Sequence, residues 1–107
     1  MTRRRRATPD VDRLPALRNF ARAYLHEDML AEYGSAIAAA KAFVRDASAA
    51  DTRALANDLR ALVDAARDWP LPALEDYFRK TLGSAWLPPS IAEVRVLHER
   101  VKNAGDK

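Results

Sequence analysis

Residues 15 to 34 read Pro-Ala-Leu-Arg-Asn-Phe-Ala-Arg-Ala-Tyr-Leu-His-Glu-Asp-Met-Leu-Ala-Glu-Tyr-Gly. Within them Leu17, Phe20, Ala21, Tyr24 and Leu25 recur at i, i+3, i+4, i+7 and i+8, one apolar stripe along a helix. Pro15 suits the first helical position, where its missing N–H costs nothing. The helix is expected to run out near Asp28. Met29, Leu30 and Tyr33 then continue as a short helical turn closed by Gly34, a residue that tolerates positive φ.

The same period recurs downstream. Ser35 offers an N-cap for a second helix with Ile37, Ala40, Lys41, Phe43 and Val44 on or beside its buried face. Ser48 followed by Asp51 opens a third, whose stripe is Leu55, Leu59, Leu62, Val63 and Ala66. Trp69-Pro70-Leu71-Pro72 interrupts the chain, and Pro72 starts a fourth helix carrying Leu74, Tyr77, Phe78 and Leu82, ended by Gly83. Pro88 and Pro89 keep the linker at Trp86 and Leu87 extended, and Ser90 with Glu93 resembles a capping box for a fifth helix with Ile91, Val94, Leu97 and Val101. No strand pattern occurs. The expected fold is all-α, a compact single-domain bundle of about five helices, with linkers short enough to make consecutive helices near-antiparallel neighbours.

The 107 residues, 49% hydrophobic and 31% charged, suit one soluble domain. The absence of cysteine excludes disulfides and thiolate-bound zinc and is compatible with a reducing compartment. No apolar run is long enough to cross a bilayer and no secretory signal follows the first arginines, so a cytoplasmic protein without membrane contact is the default expectation. The formal charge of +3 sits in residues 1 to 13, where Arg3, Arg4, Arg5, Arg6 and Arg13 face Asp10 and Asp12. Residues 1–13 are therefore expected to be a basic, flexible N-terminal tail, and 14–107 the helical domain. The alternative for the tail is a basic arm that contacts nucleic acid or a membrane surface.

Catalytic chemistry finds little support. His26, Glu27 and Asp28 are adjacent, so on a helix they point about 100° apart and cannot chelate one ion together. No HxxxH, HExxH or ExxH spacing occurs, so no metal and no cofactor is expected. There is no cysteine nucleophile and no G-x-S-x-G, and the paired acids Glu75 and Asp76 are sequential neighbours without the facing geometry of an acid and a base. An enzyme is not expected.

The acids carry the stronger pattern. Between Asp58 and Asp76 lie Asp58, Asp64, Asp68, Glu75 and Asp76 against Arg60 and Arg67, a local charge of 2 minus 5, or −3. With Glu27, Asp28 and Glu32 these form either an ordinary solvated surface or one acidic face that attracts and steers a basic partner. Most aromatic residues fit core stripes; Trp69 and Trp86 fit either helix ends or an interface. His26 is expected to orient the turn by hydrogen bonding to backbone carbonyls.

The run Phe20-Ala21-Arg22-Ala23-Tyr24-Leu25-His26-Glu27-Asp28, then Glu32-Tyr33-Gly34, an alanine-rich segment reaching Phe43 and a leucine-rich third helix resembles the immunity proteins of bacterial contact-dependent growth inhibition systems. The likeness covers most of residues 14 to 101 and is loose from Trp86 onward. It implies a small cytoplasmic protein that binds the C-terminal toxin domain of its cognate effector as a 1:1 heterodimer and neutralises it. Such toxins are often nucleases with basic substrate clefts. On this reading Glu27, Asp28, Glu32, Asp64, Asp68, Glu75 and Asp76 contact the toxin with Trp69 as an apolar anchor, and the acids compete with phosphates for its basic side chains. Tyr24, His26, Tyr33 and Gly34 are the shared motif and are expected to build the fold, specificity lying in surface residues. The alternative is a small helical nucleic-acid-binding protein using the arginine arm, which predicts salt-sensitive DNA or RNA binding lost on removal of residues 1 to 13.

Overall fold

The computed structural model describes residues 14–105, and the basic tail lies outside them. The described chain is all-α. Its helices are α1 (Pro15–Tyr24), α2 (Met29–Tyr33), α3 (Ala36–Asp46), α4 (Ala49–Ala65), α5 (Leu71–Asp76) and α6 (Ile91–Gly105). A π-turn, Tyr77–Thr81, extends α5.

Local chemistry sets most boundaries. Ser35 Oγ accepts from the Ala38 N–H and Ser48 Oγ from the Asp51 N–H, each at 3.0 Å, so both serines cap as their positions imply. Gly34 and Gly83 stand at φ +90° and +68°, the left-handed region that ends a helix without a Cβ penalty. Beyond Thr81 the Leu82 N–H reaches the Tyr77 carbonyl at 3.1 Å, an i to i+5 bond that widens the last turn.

The apolar stripes meet in one core. Leu17, Phe20, Ala21 and Leu25 from α1 and its end, Leu55, Leu59, Leu62 and Ala66 from α4, Leu74, Phe78 and Leu82 from the α5 region, and Val94, Leu97 and Val101 from α6 are all nearly inaccessible. In α3 the small residues Ala36, Ala39, Ala40 and Ala42 are buried, which brings neighbouring backbones close. Ile37, Phe43 and Val44 pack partly against the core, whereas Lys41, placed with them by the sequence pattern, is exposed.

The packing departs from a simple sequence of neighbours. Helix α6 lies along α4 and α3, and α1 also rests on α4. Helices α3 and α4, joined by only Ala47 and Ser48, make little contact with each other because α6 supplies the apolar face that each covers. Chain order thus predicts the elements better than their partners.

Candidate functional site

The acidic motif sits at a corner that two local hydrogen bonds turn and two from a distant segment hold. Helix α1 stops at Tyr24, four residues before the expected end, and part of the reason is local. A continuing helix would send the Asp28 N–H to the Tyr24 carbonyl. Instead it donates to His26 Nδ1 at 3.1 Å, while the Met29 N–H turns back to the His26 carbonyl at 3.0 Å. His26 therefore orients the turn by accepting a backbone N–H, not by binding carbonyls, and that bond fixes the proton on Nε2. Nε2 lies 3.7 Å from Glu32 Oε2.

The orphan carbonyl at the end of α1 finds partners far along the chain. Leu25 O accepts from the Ala85 N–H at 2.8 Å and from the Trp86 N–H at 3.3 Å. Ser84, itself buried, accepts from the same Trp86 N–H at 3.0 Å and donates to the Trp86 carbonyl at 2.7 Å. The segment before α6 is thereby stapled to the acidic corner.

Two ring clusters frame the surface. Tyr24 stacks on Phe20 and on Tyr33, with centroids 5.6 and 5.8 Å apart, and Phe43 packs edge-on against Phe20 and Tyr24 at 5.4 and 5.6 Å. This knot ties α1, α2 and α3 together. Of the four motif residues named from the sequence, Tyr24 and Tyr33 belong to it, Gly34 closes α2, and His26 lies in the turn after α1. The Tyr33 phenol is raised above its ordinary value by burial first, then by the negative charge of Glu32 beside it. The second cluster is a chain of T-shaped contacts, Trp69 to Tyr77 at 5.6 Å, Tyr77 to Phe78 at 6.2 Å and Phe78 to Trp86 at 5.8 Å.

Glu27 and Asp28 are exposed at the corner after α1, and Glu32 is exposed on α2. Asp64 near the end of α4 and Asp68 just beyond it are exposed, Glu75 is half-buried, and Asp76 is exposed beside Arg79. Asp76 Oδ1 accepts from Arg79 Nη1 at 2.8 Å, and Asp64 lies 4.0 Å from Arg60 Nε. Among the described residues Glu27, Asp28, Asp68 and Glu75 make no ion pair. Asp58 is spent inside the molecule: its Oδ2 accepts the Leu17 N–H at 3.1 Å.

Three of the hollows on the surface adjoin these residues or the seam between α3 and α6. One, of about 490 Å³, lies between the acidic corner and the staple and is lined by His26, Glu27, Met29, Ala85, Trp86 and Leu87. A second, of about 310 Å³, lies against Trp69 and Tyr77, with Asp76 and Lys80 on its rim. The Trp69–Tyr77–Phe78–Trp86 ring chain connects these two. The third, of about 390 Å³, lies between α3 and α6 over Ala40, Val44 and Val101, with Lys41 and Arg100 beside it. The sequence allows an interface role for both Trp69 and Trp86 and puts Trp69 forward as the anchor; Trp86 lines the hollow that contains Glu27. The signal available was Trp86 between the Gly83-Ser84 turn and Pro88-Pro89, a place where the backbone is held. The α3–α6 hollow had no sequence signal, since it needs two helices that are distant in the chain.

Among the described residues no group of three His, Asp or Glu side chains is placed to hold a metal, and no helix is long and apolar enough to cross a membrane. What these helices present to solvent is charge beside partly exposed aromatic rings, the equipment of a protein that works by binding. The family model described as CdiI immunity protein matches residues 13–104, so the chain belongs to the CdiI immunity protein family, and its function is immunity against a toxin of contact-dependent growth inhibition. Comparison with curated proteins and with solved structures gives no match.

Proposed function

We propose that this chain binds the C-terminal toxin domain of its cognate effector one to one in the cytoplasm, that the toxin is a nuclease, and that a face of carboxylates covers its basic substrate cleft. The observation that carries this reading is the set of carboxylates at Glu27, Asp28, Asp68 and Glu75, without ion-pair partners among the described residues. Charge left uncompensated on a folded surface favours capture of an oppositely charged partner and speeds its encounter. Glu32, Asp64 and Asp76 enlarge the same field, although Asp64 and Asp76 already face an arginine. Trp69, half-buried against Tyr77 beside Asp76, supplies apolar area that excludes water around the pairs.

Co-expression with the toxin domain, scored by survival and by co-purification, tests the pairing. Charge reversal tests the mechanism. Glu27→Lys, Asp28→Lys and Glu32→Lys together should weaken toxin binding by more than about a hundredfold at low salt, mostly through slower association as the field is inverted. A triple variant that binds as tightly as the parent chain would sink the electrostatic account while leaving immunity itself intact.

A further inference from the structure

We propose that the hollow between Glu27 and Trp86 is a socket for a single arginine or lysine side chain of the toxin, and that Trp86, more than Trp69, is the aromatic anchor of the complex. This rests on the proposed basic toxin surface and deepens it. The lining of the hollow is largely apolar, with the buried Met29, Ala85, Leu87 and Trp86 among its residues. Its charged group is the exposed carboxylate of Glu27, which has no ion pair among the described residues. His26, also on the lining, already uses Nδ1 to accept the Asp28 N–H. Asp28 and Glu32 stand beside the opening in sequence and add negative field. A hollow whose lining combines apolar residues, a carboxylate and a tryptophan suits a long aliphatic stem with a cationic head: the stem would cover Met29 and Leu87, and the head would meet both the π system and the carboxylate.

The Trp86 side of the hollow is built before any partner arrives. The Trp86 N–H is shared between Leu25 O and Ser84 Oγ, its carbonyl takes the Ser84 hydroxyl, and its ring packs at 80° to Phe78, which is wholly buried. The backbone that carries the indole is thus pinned by three hydrogen bonds and the ring rests on one buried neighbour, so Trp86 has less freedom to lose on binding, the condition under which an aromatic residue contributes most to an interface. Trp69 has one ring contact, with Tyr77, and one backbone hydrogen bond, its N–H to the Ala66 carbonyl at 3.0 Å, and it stands beside Lys80 and Asp76, whose charges offset each other for an incoming cation.

The test measures the affinity of the toxin domain, separated from its co-expressed complex, for four full-length variants: Trp86→Leu, Trp69→Leu, Glu27→Gln and Ala85→Arg. Ala85 is exposed, so the arginine placed there occupies the hollow without disturbing the core. Trp86→Leu, Glu27→Gln and Ala85→Arg are each expected to weaken binding by about tenfold or more, with Trp69→Leu costing less. The Trp86→Leu and Glu27→Gln losses should be non-additive with each other and with alanine at one toxin arginine or lysine. If Trp86→Leu fails to fold, as read by circular dichroism, Glu27→Gln and Ala85→Arg decide alone. Affinities of both within twofold of the parent overturn the socket, while retained sensitivity to the triple charge reversal would show that the acidic face survives without it. Failure of the parent chain to bind the toxin overturns the proposed function and the socket with it.

Discussion

The carboxylate of Asp58, in the middle of α4, accepts the backbone N–H of Leu17 in the first turn of α1 at 3.1 Å. Helix α1 has no capping side chain of its own, since Leu14 occupies its N-cap position. Asp58 supplies from another helix what Ser35 and Ser48 supply locally, and it sets a negative charge against the positive end of the α1 dipole. Asp58→Ala should therefore destabilise the fold by about 1 to 2 kcal/mol, the range for loss of a helix cap. Asp58→Asn, which keeps an acceptor oxygen, should recover part of that loss. Urea denaturation of the two variants measures both, and the loss should appear as a lower midpoint at unchanged slope.

Asp58 also shows where sequence reading stops. Ser35 and Ser48 were legible as caps because donor and acceptor are three residues apart. Asp58 and Leu17 are 41 apart, and in the sequence Asp58 is one more acid in an acidic stretch. The apolar stripes were legible for the same local reason, and Leu55, Leu59 and Leu62 are all buried as their spacing implies. The end of α1 was not, because it depends on an imidazole taking an N–H that the helix would otherwise use and on Ala85 and Trp86 donating to Leu25. The acids at 27, 28 and 32 could be read as one group, being close in the chain. That Trp86 lines the hollow beside them could not, since nearly sixty residues separate the two.

The ring knot of Phe20, Tyr24, Tyr33 and Phe43 gives Tyr24 and Tyr33 places in the packing between α1, α2 and α3. Phe20 is fully buried and touches two rings, so Phe20→Ala should cost about 3 to 5 kcal/mol, read as a lower urea midpoint. Tyr24→Phe keeps the ring stack and should change stability by less than about 1 kcal/mol. Toxin affinity measured for Tyr24→Phe should equal that of the parent. A selective loss of affinity in this folded variant would move Tyr24 from the fold to the interface.

The two left-handed glycines differ in what surrounds them. At Gly34 an added Cβ meets nothing within 4 Å, so Gly34→Ala should cost only the conformational penalty, about 1 kcal/mol. At Gly83 the same atom would lie 3.2 Å from Arg22 Nε, so Gly83→Ala adds displacement of that side chain to the same penalty. The combined variant Arg22→Ala with Gly83→Ala removes the obstruction. Thermal melts should place the Gly83 variant below the Gly34 variant, and the double variant should show less loss than its two single changes summed.

Tyr33 provides an alkaline signature. Its pKa lies above the ordinary phenol value of about 10, with burial the larger cause and the Glu32 carboxylate next. A raised acid favours its neutral form in the folded state, so this contribution to stability is complete below the unfolded value and is lost as pH rises through the folded one. Phenolate absorbance near 295 nm should show a late-titrating component that Tyr33→Phe removes. Glu32→Gln should move it down towards the ordinary value without reaching it, because burial remains.

The positive features of the chain should be neutral for toxin capture if carboxylates provide the recognition. Lys41 and Arg100 flank the α3–α6 hollow, and the arginine run stands at residues 3 to 6. A basic cleft gains nothing from either, and the family match begins only at residue 13. A chain starting at Leu14 should therefore bind the toxin within about twofold of the full chain, and so should Lys41→Glu combined with Arg100→Glu. Removing or reversing positive charge makes the net field more negative, so association with a basic toxin should quicken slightly at low salt and match the parent at high salt. The same truncated chain should show no change in its interaction with DNA or RNA. A salt-sensitive nucleic-acid affinity present in the full chain and lost on truncation would establish a separate role for the arginine arm.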